Sequence, residues 1–205
     1  MIMQANASPG RYGANQGVYK MTNRILLKRT GTIAVGSGFI AATIYFVMIT
    51  ITLAHIQNVS GQVPFDMRPS GYAPNEAVVL LQSLGVDGRN YYLFRQIPLD
   101  TLYPAMLALT LSATILWFGR RISNRRLIFI GVAVSICSAV FDYAENFGIM
   151  AMILSWPEVS VPLVHTVSTA SVLKSVATTL AVMLVVLVGF KWMLQSNKKR
   201  SPIVG

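Results

Sequence analysis

Residues 127–153, LIFIGVAVSICSAVFDYAENFGIMAMI, decide how this chain folds. As a helix rising about 1.5 Å per residue, the stretch is longer than the roughly 30 Å hydrocarbon core of a bilayer. Its apolar character is interrupted along one line only. Asp142, Glu145 and Asn146 stand at i, i+3 and i+4, which places them on one helical face, and Ser135 and Ser138 continue that face. A charged side chain near the centre of a span costs at least about 2.5–3.5 kcal/mol on insertion scales, so this line must turn toward other protein or enclosed water. A long apolar helix with a single ionisable stripe is one member of a membrane bundle.

Three further runs can cross with it. Residues 32–56 contain no acidic or basic side chain, and residues 98–119 and 162–192 are each long enough to span with some tilt. The whole chain of 205 residues is 54% hydrophobic and 12% charged, where a soluble domain carries about 25% charged residues. That balance argues against a soluble, disordered or repeat protein. The expected fold is all-α: a polytopic four-transmembrane-helix bundle at 32–193, between a basic tail at 1–31 and another at 194–205. One cysteine, Cys137, excludes an internal disulfide framework and any multi-cysteine metal centre, and its place in the third span reads as buried packing.

Charge orients the bundle. Of 17 basic residues, 13 fall at the N-terminal tail, the 120–126 connection and the C-terminal end, among them Arg11, Lys28, Arg120, Arg126, Lys191 and Arg200. These segments share one side if both termini lie together, and the basic bias assigns that side as cytoplasmic or matrix-equivalent. Asp66, Glu76, Asp87 and Glu158 fall on the other side. The net charge of +10 is then a surface facing anionic headgroups in a lipid bilayer, and nucleic acid is not an expected partner. The first 30 residues are polar and free of acid, compatible with a disordered tail, a mitochondrial targeting sequence, or an over-extended start with Met21 as the true one. Asn58-Val59-Ser60 matches a glycosylation pattern but lies too close to the first span to be persuasive.

Residues 57–97 form the long outer connection, and about 40 residues without structure of their own would be unusual. Pro64 to Tyr72 is turn-rich, Asn75 is placed to cap a short helix over 76–84, and Gly85 can end it. The second span opens RQIPLDTLYP, residues 95–104: Pro98 suits a first turn, Asp100 complements the helix dipole, and Pro104 would disrupt the next turn. This string and FDYAENF, residues 141–147, resemble motifs of a family of uncharacterised four-span integral membrane proteins. The resemblance covers about 64–174, and it implies the four-span fold and no activity.

Lys174, in the fourth span, is the remaining intramembrane charge, and helix rise puts it at a depth similar to Asp142. The candidate ligand-binding set is therefore Asp142, Glu145, Asn146 and Lys174, with Arg95, Asp100 and Tyr103 at the outer mouth. Asp142 and Glu145 are also the candidate catalytic pair. The leading reading is a protein that binds a lipid or other amphiphile in a polar cavity in the outer half of the bundle. The alternatives are an intramembrane acid/base enzyme acting by proton transfer or isomerisation on an apolar substrate, and a structural subunit of a membrane complex or a homo-oligomer. Small residues at Ala34, Gly38 and Ala42 would serve the last. No cofactor is expected. His55 and His165, the only histidines, supply a fourth alternative as axial ligands of haem b, and no metal site is otherwise predicted. Nucleotide-binding, zinc-protease and serine-hydrolase motifs are absent from the sequence.

Overall fold

A computed structural model describes residues 10–120, 122 and 124–198, and the side-chain surroundings of those between 29 and 195. Met1, Arg121, Lys199 and Arg200, and the readings placed on them, lie outside the described residues. The described residues form helices joined by turns, without a strand. Helix α1 (Gly10–Val47) passes through a π turn (Met48–Thr52) into α2 (Leu53–Ser60). A 3-10 turn (Phe65–Met67) follows, then α3 (Pro74–Tyr91), a second π turn (Tyr92–Gln96) and α4 (Ile97–Gly119). Helices α5 (Arg125–Leu154) and α6 (Val161–Lys198) complete the chain. Four of these stretches are long and apolar enough to cross a membrane: Arg29–Ser60, Pro74–Gly119, Arg125–Leu154 and Val161–Gln195. The fold is thus an all-α four-helix bundle.

The outside of the bundle carries the apolar signature of an integral membrane protein. Phe39, Phe46, Phe129, Phe147 and Phe190 are each more than half exposed, whereas a soluble bundle would turn charged residues outward. The polar side chains go inward instead: Ser135, Ser138, Asp142, Glu145, Asn146 and Ser171 are buried. Cys137 does not join them. It is exposed beside Ile136 and Val140, because the buried stripe of α5 is set by Ser135, Ser138 and Asp142, and a residue two positions from Ser135 points the other way.

Helix α1 packs on α4, α4 on α5, and α6 on both α5 and α4, while among the described residues α1 and α6 form no packed pair. The seam of α1 against α4 runs Ala34, Ser37, Ala41 and Ile44, with Thr110 donating to Ser37 Oγ at 2.8 Å. Gly38 also faces α4, where an added Cβ would stand 3.2 Å from Thr110 Cγ2, but Ala42 is exposed. The closest approach is between α5 and α6. A Cβ on Gly148 would fall 2.1 Å from Val167 Cγ2, so only glycine lets these two helices meet at that height.

The connection between the first two spans is much shorter than its sequence suggests. α-Helix resumes at Pro74, leaving 61–73, with its 3-10 turn, as the connection, and this end of the bundle is termed the cap end. Ala73, not Asn75, is the residue before the helix; its N–H donates to Glu76 Oε2 at 2.7 Å. Gly85 does interrupt the helical conformation, at φ 61 and ψ −170, and a second helical stretch then runs on toward Gly119. Pro98 explains the π turn before it. Proline cannot donate to the carbonyl four residues back and its ring collides with that carbonyl; the turn widens, and Ile97 N–H bonds to Tyr92 O instead. The two π turns lie against each other, with Thr52 donating to the buried Gln96 Oε1 at 2.5 Å.

The cap is tied down at both of its sides. Gly61 takes the left-handed conformation that ends α2, its N–H bonding to Gln57 O at 2.8 Å. Arg68 folds back to donate twice to Val63 O, at 3.0 and 2.8 Å. Tyr72 N–H donates to Ser168 Oγ of α6 at 2.8 Å, and Gly71, at φ 82, lies so close to Ser168 that an added Cβ would be 2.6 Å from its hydroxyl. Phe65 is fully buried between Tyr72 and Tyr92, at ring separations of 4.9 and 6.1 Å.

Candidate functional site

The polar face of α5 meets a single ammonium. Lys174 Nζ, on α6, donates to Glu145 Oε2 at 2.5 Å and to Asp142 Oδ1 at 3.2 Å. Ser171, one turn from Lys174, donates to Glu145 Oε1 at 2.5 Å, so both oxygens of that carboxylate are satisfied. Deeper along the same interface Ser138 and Thr178 share a hydrogen bond of 2.5 Å. A buried charge is tolerable only when paired and hydrogen-bonded, and the i, i+3 spacing of the acids lets one lysine serve both.

Asn146 does something different. Pro104 has no N–H, so the carbonyl of Asp100, four residues before it, loses its helical donor. Asn146 Nδ2 replaces that donor at 2.8 Å, and Tyr143 donates to the neighbouring Thr101 carbonyl at 3.0 Å. The helix therefore continues through Pro104, its freed carbonyl bound to α5 rather than the turn being broken.

Asp100 itself is 1% exposed, and its Oδ2 has no hydrogen-bond partner among the described residues. Beside it lies Asp66, brought in from the 3-10 turn of the cap. The fully buried Tyr92 donates to Asp66 Oδ2, while Asp66 Oδ1 is buried and without a partner. The Tyr72 phenol also sits here; burial, then the nearby Glu145 and Asp66 carboxylates, push it well above the ordinary tyrosine range, so it stays protonated.

These groups border one cavity of about 440 Å³ at the cap end. Its polar wall is Asp66, Asp100, Asp142, Lys174, Ser175, Thr178 and Thr179. Its apolar wall is Tyr45, Met48, Ile49 and Leu53 of the first span, with Met67, Tyr103 and Leu107. Because α1 and α6 are not packed together, the cavity lies along a gap between them, and its lining residues Tyr45, Ile49 and Thr179 are exposed there.

Of the residues singled out from sequence, Asp100, Tyr103, Asp142 and Lys174 line the cavity, and Glu145 and Asn146 hold its polar wall together. Arg95 is exposed and does not line it. His55 is exposed with its ring 4.2 Å from that of Tyr91, and His165 is exposed on α6; neither lines the cavity. Asp66 and Tyr92 are the residues that sequence reasoning missed. Asp66 lies inside a turn-rich string, Pro64 to Tyr72, and nothing in that string itself signals that it folds back over the bundle. Compared with known proteins, the chain matches no family model, and no curated protein or solved structure matches it.

Proposed function

We infer that this multi-pass membrane protein binds a lipid or other amphiphile, whose polar end lies in the cap-end cavity and whose tail lies along the first span. The observation that carries this reading is the division of one cavity into a polar wall and an apolar wall, beside a gap between two helices that do not pack together. An amphiphile has the same division, and such a gap lets it pass sideways from a bilayer. Asp100, Asp142 and Lys174 belong to the preorganised polar wall, which Glu145 and Asn146 brace from behind, and Tyr103 stands on the facing apolar wall.

The basic bias places both termini on the cytoplasmic or matrix-equivalent side and the cap on the opposite side. A single cysteine introduced at position 123 in a Cys137→Ser background is expected to react only from the side of the termini; labelling from the other side alone would reverse the orientation.

Binding is tested by native mass spectrometry with lipid extraction on wild-type protein and on Asp142→Asn and Glu145→Gln, which keep shape and remove charge. The wild type is expected to carry a tightly held amphiphile, and each variant to lose about tenfold in retention, equivalent to roughly 1.4 kcal/mol. A folded wild type with nothing bound above the bulk lipid, or folded variants that retain ligand as well as the wild type does, would sink this reading.

A further inference from the structure

Resting on the amphiphile reading, the charges of the cavity narrow the chemistry of its occupant. Four carboxylates, Asp66, Asp100, Asp142 and Glu145, gather around one ammonium. Lys174 gives its hydrogen bonds to Glu145 and Asp142, and Ser171 completes Glu145. Tyr92 takes one oxygen of Asp66. What is left open is Asp66 Oδ1 and Asp100 Oδ2, two buried acceptors on residues that both line the cavity. Buried polar atoms in folded proteins are paired as a rule, and apart from each other's carboxyl groups neither oxygen has a hydrogen-bond partner among the described residues.

The complement to two adjacent, unfilled carboxylate oxygens is a group with several N–H donors and a positive charge. An anionic head fits poorly. A phosphate or carboxylate needs a cluster of cationic donors, whereas no arginine lines the cavity: Arg68 is turned to Val63 O and Arg95 is exposed. Its volume of about 440 Å³ lies within the usual range of roughly 300–1,000 Å³ for small-molecule sites. It holds a compact head and the first part of a chain, and the rest can leave past Ile49 and Thr179.

The geometry points to a long-chain primary amine as the occupant, its ammonium between Asp66 and Asp100 and its alkyl chain against Met48, Ile49 and Leu53. The test offers wild-type protein, in nanodiscs of phosphatidylcholine, three probes of equal chain length: octadecylamine, octadecanol and octadecanoate. Retention is read by native mass spectrometry. The amine is expected to be held at least about tenfold more strongly than either of the others, since charge-assisted hydrogen bonds are roughly twice as strong as neutral ones. Asp100→Asn and Asp66→Asn are expected to lose that preference, holding the amine no more strongly than octadecanol. Equal retention of the alcohol or the acid would overturn the amine assignment and leave the amphiphile reading standing. Retention of none of the three by folded wild type would remove both. Full amine preference in folded Asp100→Asn would overturn the placement of the ammonium; if that variant does not fold, the comparison of probes on the wild type still decides.

Discussion

Asp100 and Pro104 show how one residue's missing atom sets the environment of another. A proline at the fourth position beyond Asp100 leaves that carbonyl without a helical donor, and the Asn146 amide fills the place at 2.8 Å. The bond is therefore a consequence of Pro104, and the two positions should be coupled. Asn146→Ala is expected to destabilise the fold by about 1–3 kcal/mol, the cost of a buried acceptor left open. In a Pro104→Ala background the helix regains its own N–H, and the same change should cost less than half as much. A double-mutant cycle in detergent, read from thermal unfolding, measures the difference; additive effects would mean that Asn146 acts through some other contact. At this scale the spacing of Asp142, Glu145 and Asn146 on one face was legible, because helical geometry is local. That Lys174 would join the two acids followed from matching depth. Asp66 was illegible as a site residue, since its position depends on a cap that turns back to place Tyr72 against Ser168, far away in sequence.

Among the elements, α5 and α6 are held in register by a glycine as much as by the ion pair. Gly148→Ala would put a methyl 2.1 Å from Val167 Cγ2, a distance that forces the helices to separate. A loss of about 1–3 kcal/mol is expected, the range for overpacking a closely fitted interface. Val167→Ala should return most of it by removing the opposing methyls, which thermal unfolding of the double variant would reveal. The apolar runs made the four spans legible, and Gly85 was legible as a break. The continuity of helix from beyond Gly85 to Gly119 was not. The stretch 86–96 mixes charged and apolar residues in a way that reads as an interfacial loop, yet Tyr92 and Gln96 are fully buried and carry the helix through. The π turn at Tyr92–Gln96 is set by Pro98 ahead of it and by Thr52 beside it, neither of which a hydropathy pattern singles out.

The molecule as a whole is a bundle with one seam left open. Helices α4, α5 and α6 pack on one another, and among the described residues α1 packs mainly on α4. If the gap between α1 and α6 is the way in, filling it should slow exchange without disturbing the polar wall. Thr179→Trp, at an exposed position on the cavity rim, is expected to slow ligand exchange at least about tenfold, with thermal stability within about 0.5 kcal/mol of wild type as for other surface changes. Exchange kinetics of a labelled amphiphile in nanodiscs check it; an unchanged rate would place the route elsewhere.

The paired π turns have a consequence for the phase of the bundle. Each inserts the equivalent of one extra residue into a helix, and one residue rotates everything beyond it by about 100°. On the first span this separates two azimuths: Ala41 and Ile44 are buried on one side of the turn, and Leu53, Ile56 and Ser60 on the other. Deleting the exposed Ile51 would restore an unbroken α-helix of nearly the same length and helical content. It would also swing Ile56 out of the core and carry Thr52 away from Gln96. Such a deletant should keep its circular dichroism and lose its ligand. The chain would still cross four times, with the last two turns of its first helix clocked to the wrong hour.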